Sequence, residues 1–229
     1  MRYILHIILF LNINQLIISQ NVVRSSDEYP EHKYYDLSGK VYFNPYIQIR
    51  GSAFLLQDWH EGDIKLKSGE TIRDVKIKID IYQHQVIVYQ EYLNRIIKIH
   101  KNDVNRVVFS EPRKKEFIKI DDLNARSKLL GGCFVEVLTE GNISFYKLYY
   151  KEALQISELE TPFIMEFYDN ADYYISDQWK YSKVRLCKSF LKHKYPDKKS
   201  LIKQYIREQK LKLKKEEDFA SVIKYLNTL

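Results

Sequence analysis

The chain has 229 residues, of which 45% are hydrophobic and 29% charged, with only seven glycines and five prolines. This composition excludes a low-complexity or largely disordered protein, and the length allows a domain with a substantial core. The formal net charge of +7 is unevenly placed: residues 180–215 contain 14 Lys/Arg against two carboxylates, whereas residues 21–179 contain 21 Lys/Arg against 25 Asp/Glu. Such a basic segment indicates either a surface for an anionic partner or a solvated helical face that also docks on an acidic body.

Residues 1–20 are typical of a signal peptide. A short positively charged start is followed by an apolar stretch, and Ser19 supplies the small residue that a signal peptidase needs. Polar residues at positions 12, 14 and 15 interrupt the stretch, which disfavours a retained anchor because a spanning helix needs about 20 continuous apolar residues. We therefore expect an exported protein, periplasmic, outer-membrane-associated or extracellular, that is not integral to the membrane. Its mature chain should begin at Gln20 or Asn21.

Residues 21–45 are polar and lack sustained periodicity, so they predict an N-terminal leader or an added edge strand. Residues 46–185 alternate apolar and polar residues in short runs separated by breaks such as Ser68-Gly69, which predicts antiparallel strands joined by tight turns. The predicted strand positions are 64–66, 75–81, 86–88, 97–99, 104–109, 133–137, 143–149, 163–168 and 172–175, with a turn at 169–171.

Residues 186–229 change from strand-like to helix-like periodicity. Apolar residues at 201, 202, 205 and 206 predict a helix that begins after Pro196 and is capped by Asp197. Phe219, Val222, Ile223 and Leu226 predict a second helix, with three carboxylates at its positive end. Helices this short are marginal alone, so each must pack on the sheet, its neighbour or a partner. The predicted fold class is mainly β (α+β): an antiparallel β roll, sandwich or partial barrel with a C-terminal pair of α-helices.

The predicted binding residues are lysines of this basic helical segment, and aromatic side chains are interleaved with them. They are Lys188, Lys192, Lys194, Lys198, Lys199 and Lys203. Such a mixture suits nucleic acid, anionic lipid or glycan. Export argues against intracellular nucleic acid and for an anionic envelope component or another envelope protein.

Cys133 and Cys187 are the only cysteines. In an oxidising compartment they could form a disulfide between sheet and tail, and the alternative is two buried thiols. Two sulfurs are too few for a metal site and the six histidines lack ligand spacing, so no metal and no cofactor is predicted.

Two polar groups are candidates for a catalytic site. In the first, from Asp58 to Gly62, adjacent side chains diverge, so a turn in which Trp59 caps the sheet core is the preferred interpretation. In the second, Asp80, Tyr82 and His84 share a strand face, which predicts a solvated face or a polar groove. The chain lacks the Gly-x-Ser-x-Gly, His-Glu-x-x-His and glycine-rich phosphate-loop motifs. No catalytic residue is predicted.

Several segments together carry a family resemblance. They are Trp59-x-x-Gly62-x-Ile64-x-Leu66-x-x-Gly69, Ile77-x-Ile79-Asp80 with Val86-x-Val88, and the helical ends from Pro196 to Leu211 and from Glu216 to Asn227. Over residues 50–229 the chain resembles an uncharacterised family of exported bacterial proteins. The resemblance implies a bacterial envelope location and transfers no catalytic residue.

The leading functional hypothesis is a non-enzymatic binding or interaction module of the cell envelope, with the basic C-terminal helices as its contact surface. The alternatives are a β-barrel-like carrier that holds an apolar ligand inside a curved sheet and, third, a hydrolase. An enzyme is therefore the less favoured class.

Overall fold

The computed structural model describes residues 39–110, 114–120, 130–157, 162–178 and 180–229. The predicted export signal and most of the predicted leader lie outside these ranges. The strands are β1 Gly39–Val41, β2 Ile49–Arg50, β3 His60–Leu66, β4 Thr71–Asp80, β5 Gln85–Gln90, β6 Arg95–Ile99, β7 Val104–Phe109, β8 Lys115–Lys119, β9 Phe134–Thr139, β10 Ile143–Ser157, β11 Pro162–Asp177 and β12 Lys180–Val184. The helices are α1 Lys188–Lys194, α2 Lys199–Glu208 and α3 Glu216–Leu226.

The strands form one open sheet in the order β1-β6-β5-β4-β3-β7-β8-β9-β10-β11-β12, with β2 added beside β11. Every pairing is antiparallel except the short parallel pair of β2 with β11. The predicted fold class is therefore confirmed: a mainly antiparallel β body is followed by C-terminal helices. Strand β1 falls inside the predicted leader and corresponds to its edge-strand alternative.

The alternating apolar residues of β3 to β7 meet in one buried cluster, which Phe117 of β8 and Phe134 of β9 complete. Close strand contact requires glycine at position 62, because a Cβ there would lie 2.2 Å from the carbonyl oxygen of Val108 on β7. The predicted Ser68-Gly69 hairpin turn is confirmed, since Gly69 joins β3 to β4 with φ of +93°.

Strands β10 and β11 form a long hairpin, and one part of the strand prediction is wrong here. A turn was predicted at 169–171, but β11 runs through these residues and pairs continuously with β10, from Tyr149 opposite Ala171 to Lys151 opposite Asp169. The polar side chains are tolerated within the strand because each has a cross-strand partner: Lys151 pairs with Asp169 at 2.8 Å, and Asn170 donates to Glu152 at 3.3 Å.

The helical segment packs on β9 to β12 through a second apolar cluster. The predicted stripe of α3 is confirmed, because Phe219, Val222, Ile223 and Leu226 are all buried. In α2 the predicted stripe is only partly buried: Ile202 and Ile206 are buried, whereas Leu201 is 39% exposed. The predicted cap was wrong, since residues 196–198 form a short 3-10 turn and α2 begins at Lys199 with no side-chain cap.

Two polar contacts fix α3 on the hairpin. The side-chain amide of Asn227 pairs with the backbone of Ile143: its Oδ1 accepts from the amide nitrogen at 2.7 Å and its Nδ2 donates to the carbonyl at 2.8 Å. At the other end, Glu216 accepts from Lys147 at 2.7 Å and from the Tyr173 hydroxyl at 2.9 Å. The contact between tail and body therefore uses a tail carboxylate and a body lysine.

Candidate functional site

The strongest candidate site is a group of four lysines on α1 and α2, named here the lysine cluster: Lys188, Lys192, Lys199 and Lys203. Lys188 and Lys192 are four residues apart on α1, and Lys199 and Lys203 are four apart on α2, so each pair occupies one helix face. The two helices lie against each other and bring the pairs together. Burial and the charges of Lys188, Lys199 and Lys203 all lower the pKa of Lys192.

In the described part of the chain, no carboxylate pairs with the lysine cluster. The first turns of α1 and α2 also lack acidic residues. Like charges four apart on a helix repel each other, so the arrangement is unfavourable for the helices by themselves. Some of this repulsion is offset where the basic last turn of α1, residues 192–194, meets the negative end of the helix dipole. The cluster therefore presents concentrated, unneutralised positive charge.

Two of the six predicted binding lysines do not belong to the cluster. The ammonium group of Lys194 donates to the Ser182 hydroxyl of β12 at 3.0 Å. That of Lys198 reaches the carbonyl oxygen of Leu226, at the end of α3, at 3.5 Å. Lys194 therefore links the tail to the sheet, and Lys198 links two parts of the tail. The sequence does not reveal this distinction, because residues 194 and 198 lie between Lys192 and Lys199 in the chain and have the same side chain as the cluster residues.

Docking of the tail does not use the lysine cluster. Its contact with the sheet combines an apolar cluster, which includes Leu191, Ile202 and Phe219, with hydrogen bonds of residues outside the lysine cluster. Its one ion pair to the sheet in the described ranges is that of Glu216 with Lys147. The alternative in which these lysines dock the tail on an acidic body thus finds no ion pair in this part of the chain. The predicted amphipathicity explains the result, since the apolar stripe faces inward while Lys199 and Lys203 are exposed and Lys188 and Lys192 are half-buried beside the stripe.

Neither cysteine forms a disulfide in this structure. Cys133 is buried next to Leu130 and Val135, and burial raises its pKa. Cys187 precedes α1 and its sulfur lies 3.2 Å from the Ser189 hydroxyl, a contact that lowers its pKa. The disulfide between them stays a prediction.

The residues from Asp58 to Glu61 do not converge on one point. Trp59 packs on Tyr89 at 5.8 Å between ring centroids, and the Lys78 ammonium group lies 5.0 Å from its ring. His60 instead meets the edge of Phe109. Trp59 is half-buried on the sheet, as expected, but the turn interpretation was wrong beyond it, because β3 already begins at His60.

The prediction for Asp80, Tyr82 and His84 was wrong, because the strand ends at Asp80 and a turn follows. Asp80 is 1% and His84 7% exposed, whereas Tyr82 is 40% exposed, so the three do not share a solvated face. The Asp80 carboxylate accepts from the backbone amides of Tyr82 and Gln83 at 2.9 and 2.8 Å and from the Tyr46 hydroxyl at 2.6 Å. The local signal was an aspartate able to cap the amides two and three residues ahead.

Burial raises the pKa of Asp80, although its hydrogen bonds act in the opposite direction. His84 adopts φ of +52° in the same turn, and its Nδ1 accepts from the Phe134 amide at 3.4 Å. Burial and the Lys101 charge lower its pKa to about 4. These contacts tie the β4–β5 turn to residues far away in sequence, which makes the group a structural element of the body.

Within the described ranges, His, Cys, Asp and Glu side chains nowhere gather in threes as a metal site would need. None of the helices there has the length and apolar character that a membrane crossing requires. Comparison with protein-family models, with curated proteins and with solved structures found no match.

Proposed function

We propose that this protein is a non-enzymatic binding module of the bacterial cell envelope, and that the lysine cluster on α1 and α2 contacts an anionic envelope component. The observation that carries the proposal is the convergence of four lysines with no carboxylate partner in the described part of the chain. An anionic ligand would relieve the repulsion among the four lysines. Export is the second premise, and it depends on residues 1–20, which lie outside the described residues.

The way in which the helices are held supports a surface role. Leu191 of α1 and Ile202 of α2 are fully buried, so both helices are anchored through apolar faces that adjoin the faces of the lysine cluster. Lys199 and Lys203 are exposed, and Lys188 and Lys192 are half-buried. A positively charged face on an apolar-anchored helix pair can approach a flat anionic surface without unfolding.

The test is binding to vesicles of phosphatidylglycerol, with phosphatidylcholine vesicles as the neutral reference. The cluster variant replaces Lys188, Lys192, Lys199 and Lys203 by Gln. A matched control replaces four exposed lysines of the α2–α3 connection, 210, 212, 214 and 215, so that the net charge changes equally. Each lysine near an anionic membrane contributes roughly 1 kcal/mol, so the cluster variant should bind up to about three orders of magnitude more weakly. The control should lose clearly less.

Salt and thermal stability complete the design. Exposed charges are screened over about 10 Å at 0.1 M salt, so wild-type binding should weaken steeply as salt rises. The cluster variant should melt at the wild-type temperature or above, since it loses like-charge repulsion and no ion pair. If it melts lower while binding is unchanged, the lysines serve docking and the proposal fails. Salt-insensitive binding, or no binding to anionic vesicles or to purified envelope, would also contradict it and favour the carrier.

The location has its own test. Terminal sequencing of the protein from the envelope fraction of its native cell should find Gln20 or Asn21 first. An intact Met1 would contradict the cleaved signal.

A further inference from the structure

A second basic feature lies far along the chain from the helical tail, at the first edge of the sheet. A pocket of about 240 Å³ opens beside β1, β5, β6 and the turn after β6. Its polar lining consists of Lys40, Gln85, Lys98, His100, Lys101 and Asn102. Among the residues that the structure describes, the lining contains three lysines and a histidine and includes no carboxylate.

The sheet register places two of these lysines directly opposite each other. Lys40 of β1 and Lys98 of β6 are antiparallel cross-strand partners, so their side chains leave the same face of the sheet as neighbours. Directly opposed like charges destabilise a strand pair, and a strand pair by itself favours opposite charges there. In the described part of the chain, neither lysine side chain forms an ion pair or a hydrogen bond. The arrangement is therefore unfavourable unless something negative occupies the pocket.

Lys101 adds a third positive charge that is half-buried. Its ammonium group donates to the carbonyl oxygen of Gln83 at 3.3 Å, which holds it beside the β4–β5 turn. Burial lowers its pKa, and the Lys119 charge acts in the same direction. Burial without a facing carboxylate is costly for an ammonium group, so Lys101 also favours an anion.

The nearest buried negative charge is already engaged. Asp80 lies close enough to influence Lys98 and Lys101 electrostatically. Its two carboxylate oxygens, however, accept three hydrogen bonds, from the Tyr46 hydroxyl and from the amides of Tyr82 and Gln83. Asp80 therefore offsets part of the positive charge but does not line the pocket.

Neutral donors add directionality. Oδ1 of Asn102 accepts from the Lys119 ammonium group at 2.9 Å, which leaves its amide Nδ2 as a donor on the other side. Gln85 supplies a second amide. Charged and amide donors around one cavity are what an oxygen-bearing anion needs, because each of its oxygens accepts several hydrogen bonds.

The volume limits the ligand. At about 30 Å³ per water molecule the pocket holds on the order of eight waters, and drug-sized ligands need about 300 Å³ or more. We propose that this pocket binds a small oxyanion, a phosphate, sulfate or carboxylate group, through the ammonium groups of Lys40, Lys98 and Lys101. The site is separate from the lysine cluster, and it does not depend on the proposed envelope function.

The test titrates the full chain with inorganic phosphate, followed by calorimetry and by backbone amide NMR shifts. Saturable binding with the largest shifts at residues 98–102 is the expected result. Lys98→Gln and Lys101→Gln should each weaken it about tenfold, the loss typical of one charge-assisted hydrogen bond. Lys65→Gln is the matched control, because Lys65 is an exposed strand lysine outside the pocket and the variant has the same net charge.

Melting curves show whether a loss of phosphate binding in a variant reflects a folding defect. Phosphate should raise the melting temperature of the wild type by mass action, and at the same phosphate concentration it should raise that of Lys98→Gln clearly less. Without phosphate, Lys98→Gln should melt at or above the wild-type temperature, since it removes the repulsion from Lys40. Phosphatidylglycerol vesicles form a second arm, which separates a lipid headgroup from a free anion.

Binding in either arm that Lys98→Gln weakens about tenfold and Lys65→Gln preserves supports the proposal and identifies the source. Absence of saturable binding in both arms would overturn it. Equal losses in Lys98→Gln and Lys65→Gln would overturn it too, because binding would then follow net charge alone.

Discussion

The buried histidine of the β4–β5 turn makes the stability of the protein depend on pH. His84 is 7% exposed, and its Nδ1 accepts a hydrogen bond from the Phe134 amide on β9. A protonated ring would lose that acceptor and place a second positive charge near Lys101. Burial, followed by Lys101, therefore holds the pKa of His84 at about 4, below its usual value of 6.5.

The direction of the pH dependence follows from which state of the protein binds the proton. Between pH 4 and 6.5 the unfolded chain protonates this histidine and the folded protein does not, so acid favours unfolding. The free energy of unfolding is unaffected above the unfolded pKa and falls as pH drops below it, until the folded pKa is reached. At about 1.36 kcal/mol per pKa unit the full loss is about 3 kcal/mol, of which about 2 kcal/mol arises between about pH 7.5 and about pH 5.

Urea unfolding of the wild type and of His84→Asn at both pH values measures this term. Asparagine tolerates the positive φ of this position and retains an acceptor, but it does not titrate. The wild type should lose about 2 kcal/mol more than the variant on acidification, and other titrating groups cancel in the comparison. Equal losses in both proteins would refute the burial argument for His84.

Three further substitutions test the packing. Ile223→Asp should reduce the free energy of unfolding by at least about 3 kcal/mol, because Ile223 is fully buried, and the same change at exposed Lys224 should cost little. An unchanged thermal midpoint of Ile223→Asp would contradict the buried stripe. Asn227→Leu should cost about 1–3 kcal/mol in urea melts, since it leaves the amide and carbonyl of Ile143 without partners, and a neutral result would mean that water replaces the amide. Gly62→Ala should reduce the free energy of unfolding by about 2 kcal/mol in calorimetry, because its Cβ would collide with the backbone of β7. A variant as stable as the wild type would show that β3 and β7 can move apart at no cost.

Local patterns in the sequence determined much of the architecture. The two-residue period predicted most strands, and the stripe of Phe219, Val222, Ile223 and Leu226 predicted α3, because burial on one side of an element repeats at the period of that element. The β10–β11 hairpin shows the limit of this reasoning. Polar residues at 169–171 are typical of a turn, yet the ladder continues because β10 supplies a partner for each of them.

The polar sites depended on contacts between distant residues. Period two places Asp80, Tyr82 and His84 on one face, but Tyr46 and Phe134 approach from elsewhere in the chain and allow Asp80 and His84 to be buried.

For the binding surfaces, the sequence by itself determined that residues 180–215 are strongly basic and that Lys188 and Lys192, like Lys199 and Lys203, lie four apart. Only the tertiary structure decided that the two pairs meet while Lys194 and Lys198 turn inward. The same holds for the pocket at the sheet edge, whose lysines come together through strand pairing. The physical reason is that charge content is local in sequence, whereas the distance between charges is set by how helices and strands pack.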